Sequence, residues 1–384
     1  MLFAMSFIGC GSPSGFKSTV IVKVDGNESK DTNIKIDNNT SKKVDTLYQK
    51  LRASTVQIKT EGAEGTGWGT GFFIDTKGHI VTNNHVVVGA NELRIAIKGE
   101  ERLINAESIG YAECADLAVI KLTSPTNNAK YLNWHDDYIT PKLNVVVSGF
   151  TQSVLDSENR PVFTYNEGIV DTQIHQISTP WISTEFFKYS AFTASGSSGA
   201  PVVEVETGKV VGVHYSGSRS SSSDKYAISG MEARNLVNRM INGENIHSIG
   251  ISPEVYIDSS GKNWGVRVKD IVPDRQADRI GIKIDDFIIK LAGSSLTEGV
   301  KNGTSTLENY CSILKTYNPN NPDDVDDVGS KLSIEVLRTL NKSWIICGGE
   351  INGNKSLELK WVYDTNNKKW VDVSDDENIL CSYL

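Results

Sequence analysis

The chain has 384 residues, of which 39% are hydrophobic and 22% charged, with a formal net charge of −8. Domains usually run ~100–200 residues, so this length allows two or three, each with a real core. The acid excess argues against nucleic acid as a partner, because phosphate binding needs surplus Lys and Arg, and no stretch approaches the ~20 apolar residues of a membrane-spanning helix.

In chain order, residues 1–10 end in Phe7-Ile8-Gly9-Cys10. A short apolar run, a small residue and a Cys resemble the lipobox of bacterial lipoproteins, which implies a lipid anchor to the membrane on Cys10. A plain secretory remnant is the alternative, and the basic stretch that usually opens a signal is missing. Residues 11–44 are rich in Ser, Asn, Asp and Lys and read as a flexible tether. Val44–Ile58 reads as a helix that gives way to a strand.

From Gly69 the pattern turns to short apolar runs separated by turn residues: Gly71–Asp75, His79–Thr82, Leu93–Ile97, Leu117–Leu122, Leu143–Ser148, Gly168–Thr172, Pro201–Val205 and Val210–His214. Such spacing predicts an all-β barrel or sandwich over 45–245. It closes on a helix, Met231–Ile241, with Leu236, Val237 and Met240 on one face. A smaller module with strands and two helices, α+β in class, spans 249–342, and residues 343–384 form a short β extension.

Three segments carry candidate chemistry. Gly196-Ser197-Ser198-Gly199-Ala200-Pro201 can make a tight turn that presents Ser198 as a nucleophile. The N–H groups of Gly196 and Ser198 would then form an oxyanion hole. Thr82-Asn83-Asn84-His85 ends a strand and delivers an imidazole, whose ordinary pKa suits proton transfer at neutral pH. Asp116 directly precedes the apolar run Leu117–Leu122, an awkward place for a charge without a partner, and could orient the His85 ring. The order His, Asp, Ser is that of the trypsin-like fold. A Gly-x-Ser-x-Gly esterase elbow fits poorly, since Ala200 stands two after Ser198.

Residues 46–241 resemble the HtrA/Deg family of periplasmic serine proteases. The matching segments are Gly69-Thr70-Gly71-Phe72-Phe73-Ile74, Thr82-Asn83-Asn84-His85-Val86-Val87, Asp116-Leu117-Ala118-Val119-Ile120 and Glu167-Gly168-Ile169-Val170. Ser197 and Ala200 depart from that family's usual Asn and Gly, but neither change removes a backbone donor. Downstream, Asn263-Trp264-Gly265-Val266 resembles the carboxylate-binding loop of PDZ domains, and Val272–Ile288 resembles the run that follows it.

The resemblance implies a mostly β protein: a trypsin-like double β-barrel, a PDZ-like domain and the β extension. It implies a serine endopeptidase of the cell envelope that acts on protein or peptide substrates in protein quality control, without metal or cofactor, as a homo-oligomer. C-terminal peptides would bind along Trp264, Gly265, Val266 and Val268, opposite Leu307, Tyr310 and Leu314. The alternative is a PDZ-based peptide-binding or chaperone-like surface protein with a resting protease domain.

Phe192 stands where a trypsin-like specificity pocket has Asp, which speaks against Lys or Arg before the cleaved bond. Thr193 and His214 match positions that bind a Glu side chain in glutamyl endopeptidases; small or apolar preference is the competing expectation. Cys114, Cys311, Cys347 and Cys381 allow three full pairings, with Cys347–Cys381 favoured by proximity and four free thiols as the other reading.

Overall fold

The computed structural model describes residues 38–374 and 380–381, apart from 63–64, 101, 127–129, 157–159, 173–174, 179–181, 218–224, 298–302, 317–331, 341–342, 352–354 and 366. The lipobox-like segment and Cys10 therefore lie outside the described residues. Helix α1 (Asn38–Ser54) begins inside the stretch expected to be a tether. It is held because Leu47, Tyr48 and Leu51 bury one face against the core of the first unit.

The first unit opens with a closed six-stranded barrel: β1 (Thr55–Gly62), β2 (Gly65–Phe73), β3 (His79–Thr82), β4 (Ala90–Ala96), β5 (Ile104–Ala112) and β6 (Leu117–Leu122). A single helical turn, α2 (Asn84–Val87), leaves the end of β3. Val56, Ile58, Phe73, Ile80, Ile95 and Ile120 point inward and are fully buried, as strand alternation requires.

A seven-stranded antiparallel sheet follows, in the order β8-β7-β11-β12-β13-β10-β9. It comprises β7 (Asn144–Leu155), β8 (Pro161–Ile169), β9 (His175–Ser178), β10 (Ser183–Tyr189), β11 (Pro201–Glu204), β12 (Val210–Gly217) and β13 (Lys225–Ser229). Helix α3 (Gly230–Met240) then seats Ala233, Leu236, Val237 and Met240 in the core shared by the two sheets.

The second unit is one eight-stranded sheet: β14 (Ile251–Ile257), β15 (Asn263–Ile271), β16 (Phe287–Leu291), β17 (Ser294–Ser295), β18 (Leu332–Leu340), β19 (Ser343–Ile351), β20 (Lys355–Asp364) and β21 (Lys369–Asp372). The short helix α4 (Gln276–Arg279) and the longer α5 (Gly303–Thr316) cover it. The C-terminal extension continues this same sheet, with β19 paired to β18 along its whole length.

The sheet order corrects one expectation. β15 pairs with β14 on one side and β16 on the other, so Gly265, Val266 and Val268 have no open edge to which a peptide strand could add. Trp264 packs against Phe287 and Trp344 instead. The sheet ends on one side in β14 and on the other in β21. Leu307, Tyr310 and Leu314 on α5 are fully buried in the second unit's core.

Two disulfides form, Cys347–Cys381 and Cys114–Cys311, the second joining the two units. The C-terminus is also held by Arg338. Its guanidinium grips Asp286 bidentately at 2.7 and 2.8 Å and donates to the carbonyls of Gly281 and Cys381. Removing one partner of a buried pair strands the other charge. Arg338→Ala should therefore destabilise the second unit by about 3–5 kcal/mol, read from urea unfolding.

Candidate active site

Asp116 sits at the end of a 3₁₀ turn, Glu113–Ala115, in the left-handed conformation with φ of 51°. That conformation is unusual for a residue with a side chain, and here four hydrogen bonds fix it. The Asp116 carbonyl accepts from the Asn84 N–H at 3.1 Å and the Asn83 side-chain amide at 2.9 Å. Its carboxylate accepts from the His85 N–H at 2.9 Å and meets the ring Nδ1 at 2.7 Å. One carboxylate thus sets both the backbone and the ring of His85. Partial loss of hydration in the cleft opposes a charged His85 ring, whose side chain stays 39% exposed, but the charge and hydrogen bond of Asp116 outweigh it and the pKa is raised above the ordinary value of 6.5.

Ser198 lies between β10 and β11 in a turn built by Thr70 of β2. The Thr70 hydroxyl donates to the Gly196 carbonyl at 2.8 Å and accepts from the Phe150 N–H at 2.9 Å. The Thr70 N–H reaches the Ser198 carbonyl at 2.9 Å. The Gln152 N–H, at 2.8 Å, holds the Ser195 carbonyl. In a trans peptide the N–H points opposite the carbonyl, so this bond turns the Gly196 N–H away from β7. Among the described residues, neither the Gly196 nor the Ser198 N–H is spent on another protein group. Gly199 has φ of 85°, and a Cβ there would lie 2.1 Å from the Thr70 carbonyl oxygen, so only glycine fits.

His85, Gly196 and Ser198 line one cleft of about 400 Å³, walled by Trp68, Val86 and Gly89. The predicted specificity residues do not line this cleft, although the His214 backbone pairs with Gly199 and Ala200 just after Ser198. Phe192 is 51% exposed, whereas Thr193 and His214 are buried. The His214 Nδ1 is 2.8 Å from the Tyr189 hydroxyl and 3.2 Å from the Tyr226 carbonyl. Burial pulls its pKa down to about 3, so the ring is neutral.

Thr70 and Gln152 were not singled out by sequence. A threonine between two glycines on a strand was the available signal for the first; Gln152 carried none. Replacing Thr70 with Val keeps the shape but unpairs the Phe150 N–H and the Gly196 carbonyl. Thr70→Val should cost about 1–3 kcal/mol in a denaturation experiment, the desolvation penalty of the orphaned groups.

Residues 69–213 match the family model described as a trypsin-like peptidase domain. The chain is 25% identical over 302 residues to "Protease Do-like 1, chloroplastic" of Arabidopsis thaliana, covering 73% of this chain and 62% of that protein. It is 29% identical over 242 residues to a "Probable periplasmic serine endoprotease DegP-like" of Bartonella henselae, covering 60% of this chain and 46% of that one. It therefore spans less than two thirds of the length of either relative. Among solved structures, a serine endoprotease from Yersinia pestis is similar at 20% identity and a TM-score of 0.45, covering 82% of this chain and 97% of that chain. The segment 69–213 is accordingly a trypsin-like peptidase domain, in a chain homologous to the HtrA/DegP-like serine proteases.

Proposed function

We propose that this protein is an extracytoplasmic serine endopeptidase that cleaves protein substrates through an acyl-enzyme, with His85, Asp116 and Ser198 as its triad. The observation that carries this reading is the double grip of Asp116 on the backbone and ring of His85, on a cleft that Ser198 also lines. The Ser198 Oγ attacks the scissile carbonyl while the His85 Nε2 takes its proton and hands it to the leaving amine. Asp116 fixes the tautomer and stabilises the imidazolium. The N–H groups of Gly196 and Ser198, unspent on other described protein groups, receive the oxyanion. Water then releases the acyl group with His85 again as base. The His85 ring and Ser198 share the cleft without a direct hydrogen bond among the described atoms, a looseness common before substrate binds.

A place in the bacterial envelope is supported by the name of the Bartonella relative and by the lipobox-like Cys10 segment. Kinship with the HtrA/DegP-like proteases likewise supports a homo-oligomer working in protein quality control. For the residue before the cleaved bond we favour a small or apolar side chain over Glu. His214 is neutral, enclosed and hydrogen-bonded to Tyr189, which suits a core residue better than a receptor for a carboxylate.

Ser198→Ala should lower turnover by about 10⁴–10⁶-fold with an unchanged circular dichroism spectrum. Asp116→Asn should lower kcat by about 10⁴-fold. Because catalysis needs neutral His85 and Asp116 raises its pKa, the acid limb of kcat/KM should lie above ~6.5 in the wild type and move down in Asp116→Asn. In a peptide library, cleavage after Val or Ala should equal or exceed cleavage after Glu; a strong Glu preference would return His214 and Thr193 to the specificity pocket.

A further inference from the structure

Glu113 takes no part in the proposed chemistry, yet it is fully buried where the two units meet. Its Oε2 accepts three successive backbone N–H groups, from Ile249 at 3.1 Å, Gly250 at 3.1 Å and Ile251 at 3.0 Å, and the Ser248 hydroxyl at 3.0 Å. The Tyr310 phenol donates to Oε1. Gly250, with φ of 92°, is what lets three consecutive amides converge on one point.

The position of this cradle is informative. It lies at the start of β14, one of the two terminal strands of its sheet, and is closed from the side by Tyr310 of α5. An edge strand, a flanking helix and a nest of backbone N–H groups are the parts with which a strand-adding groove captures a peptide's terminal carboxylate. Here the catalytic unit supplies the carboxylate. Flanking contacts keep it there. The Ile246 N–H donates to the Tyr111 carbonyl at 2.7 Å, and Cys114, the residue after Glu113, is bonded to Cys311 of α5.

We infer that Glu113 is the resident ligand of a carboxylate-binding cradle in the second unit, closing it to free peptide C-termini and holding the Asp116 turn in position. The link to Asp116 is short. Glu113 opens the 3₁₀ turn that Asp116 ends, and the Asp116 N–H donates to the Glu113 carbonyl at 3.1 Å. Tethering raises the local concentration of the Glu113 carboxylate far above that of a free peptide, and the Cys114–Cys311 bond raises it further. Burial pushes the Glu113 carboxyl up to about 7, with the hydrogen bonds pulling the other way, so an incoming terminal carboxylate competes with a group that is only partly charged near neutrality. The cradle half of this inference stands without the proposed triad; the positioning half rests on it.

The test uses the full chain and two fluorescein-labelled hexapeptides that end in Val, one with a free carboxylate and one amidated. Fluorescence anisotropy should show no saturable binding of either to the oxidised wild type. Glu113→Ala should bind the carboxylate form at least about tenfold tighter than the amide, the charge-assisted bonds being the difference. Glu113→Gln, which keeps an acceptor oxygen in the cradle, should stay closed to both. Equal binding of the carboxylate peptide by wild type and Glu113→Ala would overturn the cradle.

For positioning, Glu113→Ala should lose up to about 100-fold in kcat, the scale of a misplaced catalytic group, with little change in KM. Its acid limb should shift down toward ~6.5 as Asp116 loosens from His85, and Glu113→Gln should restore it. A folded Glu113→Ala with wild-type kcat and an unmoved acid limb would overturn this half. Should the Ala variant not fold, Glu113→Asp, which withdraws the carboxylate by one methylene, runs both arms with the same expected directions. Fluorophosphonate labelling of the wild type is read first: silence there removes the triad and leaves the peptide arm to decide the cradle.

Discussion

The architecture turns on a single left-handed residue. Asp116 has both ends of its polar surface occupied, the carbonyl by Asn83 and Asn84 and the carboxylate by His85. A charge at the mouth of a barrel strand would otherwise be a liability, because a buried carboxylate without partners is expensive. Here its partners are the very residues that leave the end of β3. The bond therefore joins β3 to the turn before β6, strands that are also hydrogen-bonded neighbours. Strand pairing brings the two segments together, and Asp116 converts that proximity into a fixed imidazole.

The nucleophile side is organised by a comparable hub. Thr70 contacts the Ser198 turn through its backbone and its hydroxyl, and its own carbonyl is held by the Thr82 hydroxyl at 2.8 Å. Thr82 is the last residue of the strand that delivers His85. One chain of bonds thus runs from the end of β3 through β2 to the turn around Ser198. The two halves of the site belong to different sheets, yet they share a common rigid reference.

Much of this was legible in the sequence, for reasons that are local. Short apolar runs bounded by turn residues marked β6, β11 and β12, and the spacing of Leu236, Val237 and Met240 marked α3. The order of His85, Asp116 and Ser198, each beside a strand, pointed to the trypsin-like fold. What was missed is non-local. Whether a strand is at an edge depends on which neighbours pair with it, and Gly265-Val266 carries no sign that β14 and β16 will flank it. Ser248-Ile249-Gly250-Ile251, which holds the amide nest, carries no local mark of that role, because its partner lies 135 residues or more upstream. The tether was drawn too long because the apolar face of α1 gains meaning only from the core that receives it.

The bond between Cys114 and Cys311 closes a span of 197 residues. That span holds Ser198, the entire seven-stranded sheet and the first strands of the second unit. A single nick anywhere within it, made by any protease, leaves two fragments still joined through sulfur. Such a molecule would migrate at full size on a non-reducing gel and fall into two bands once a thiol is added. Severing the backbone between the units is thus not enough to part them; reduction is needed as well, and the nicked form would keep its apparent mass until then.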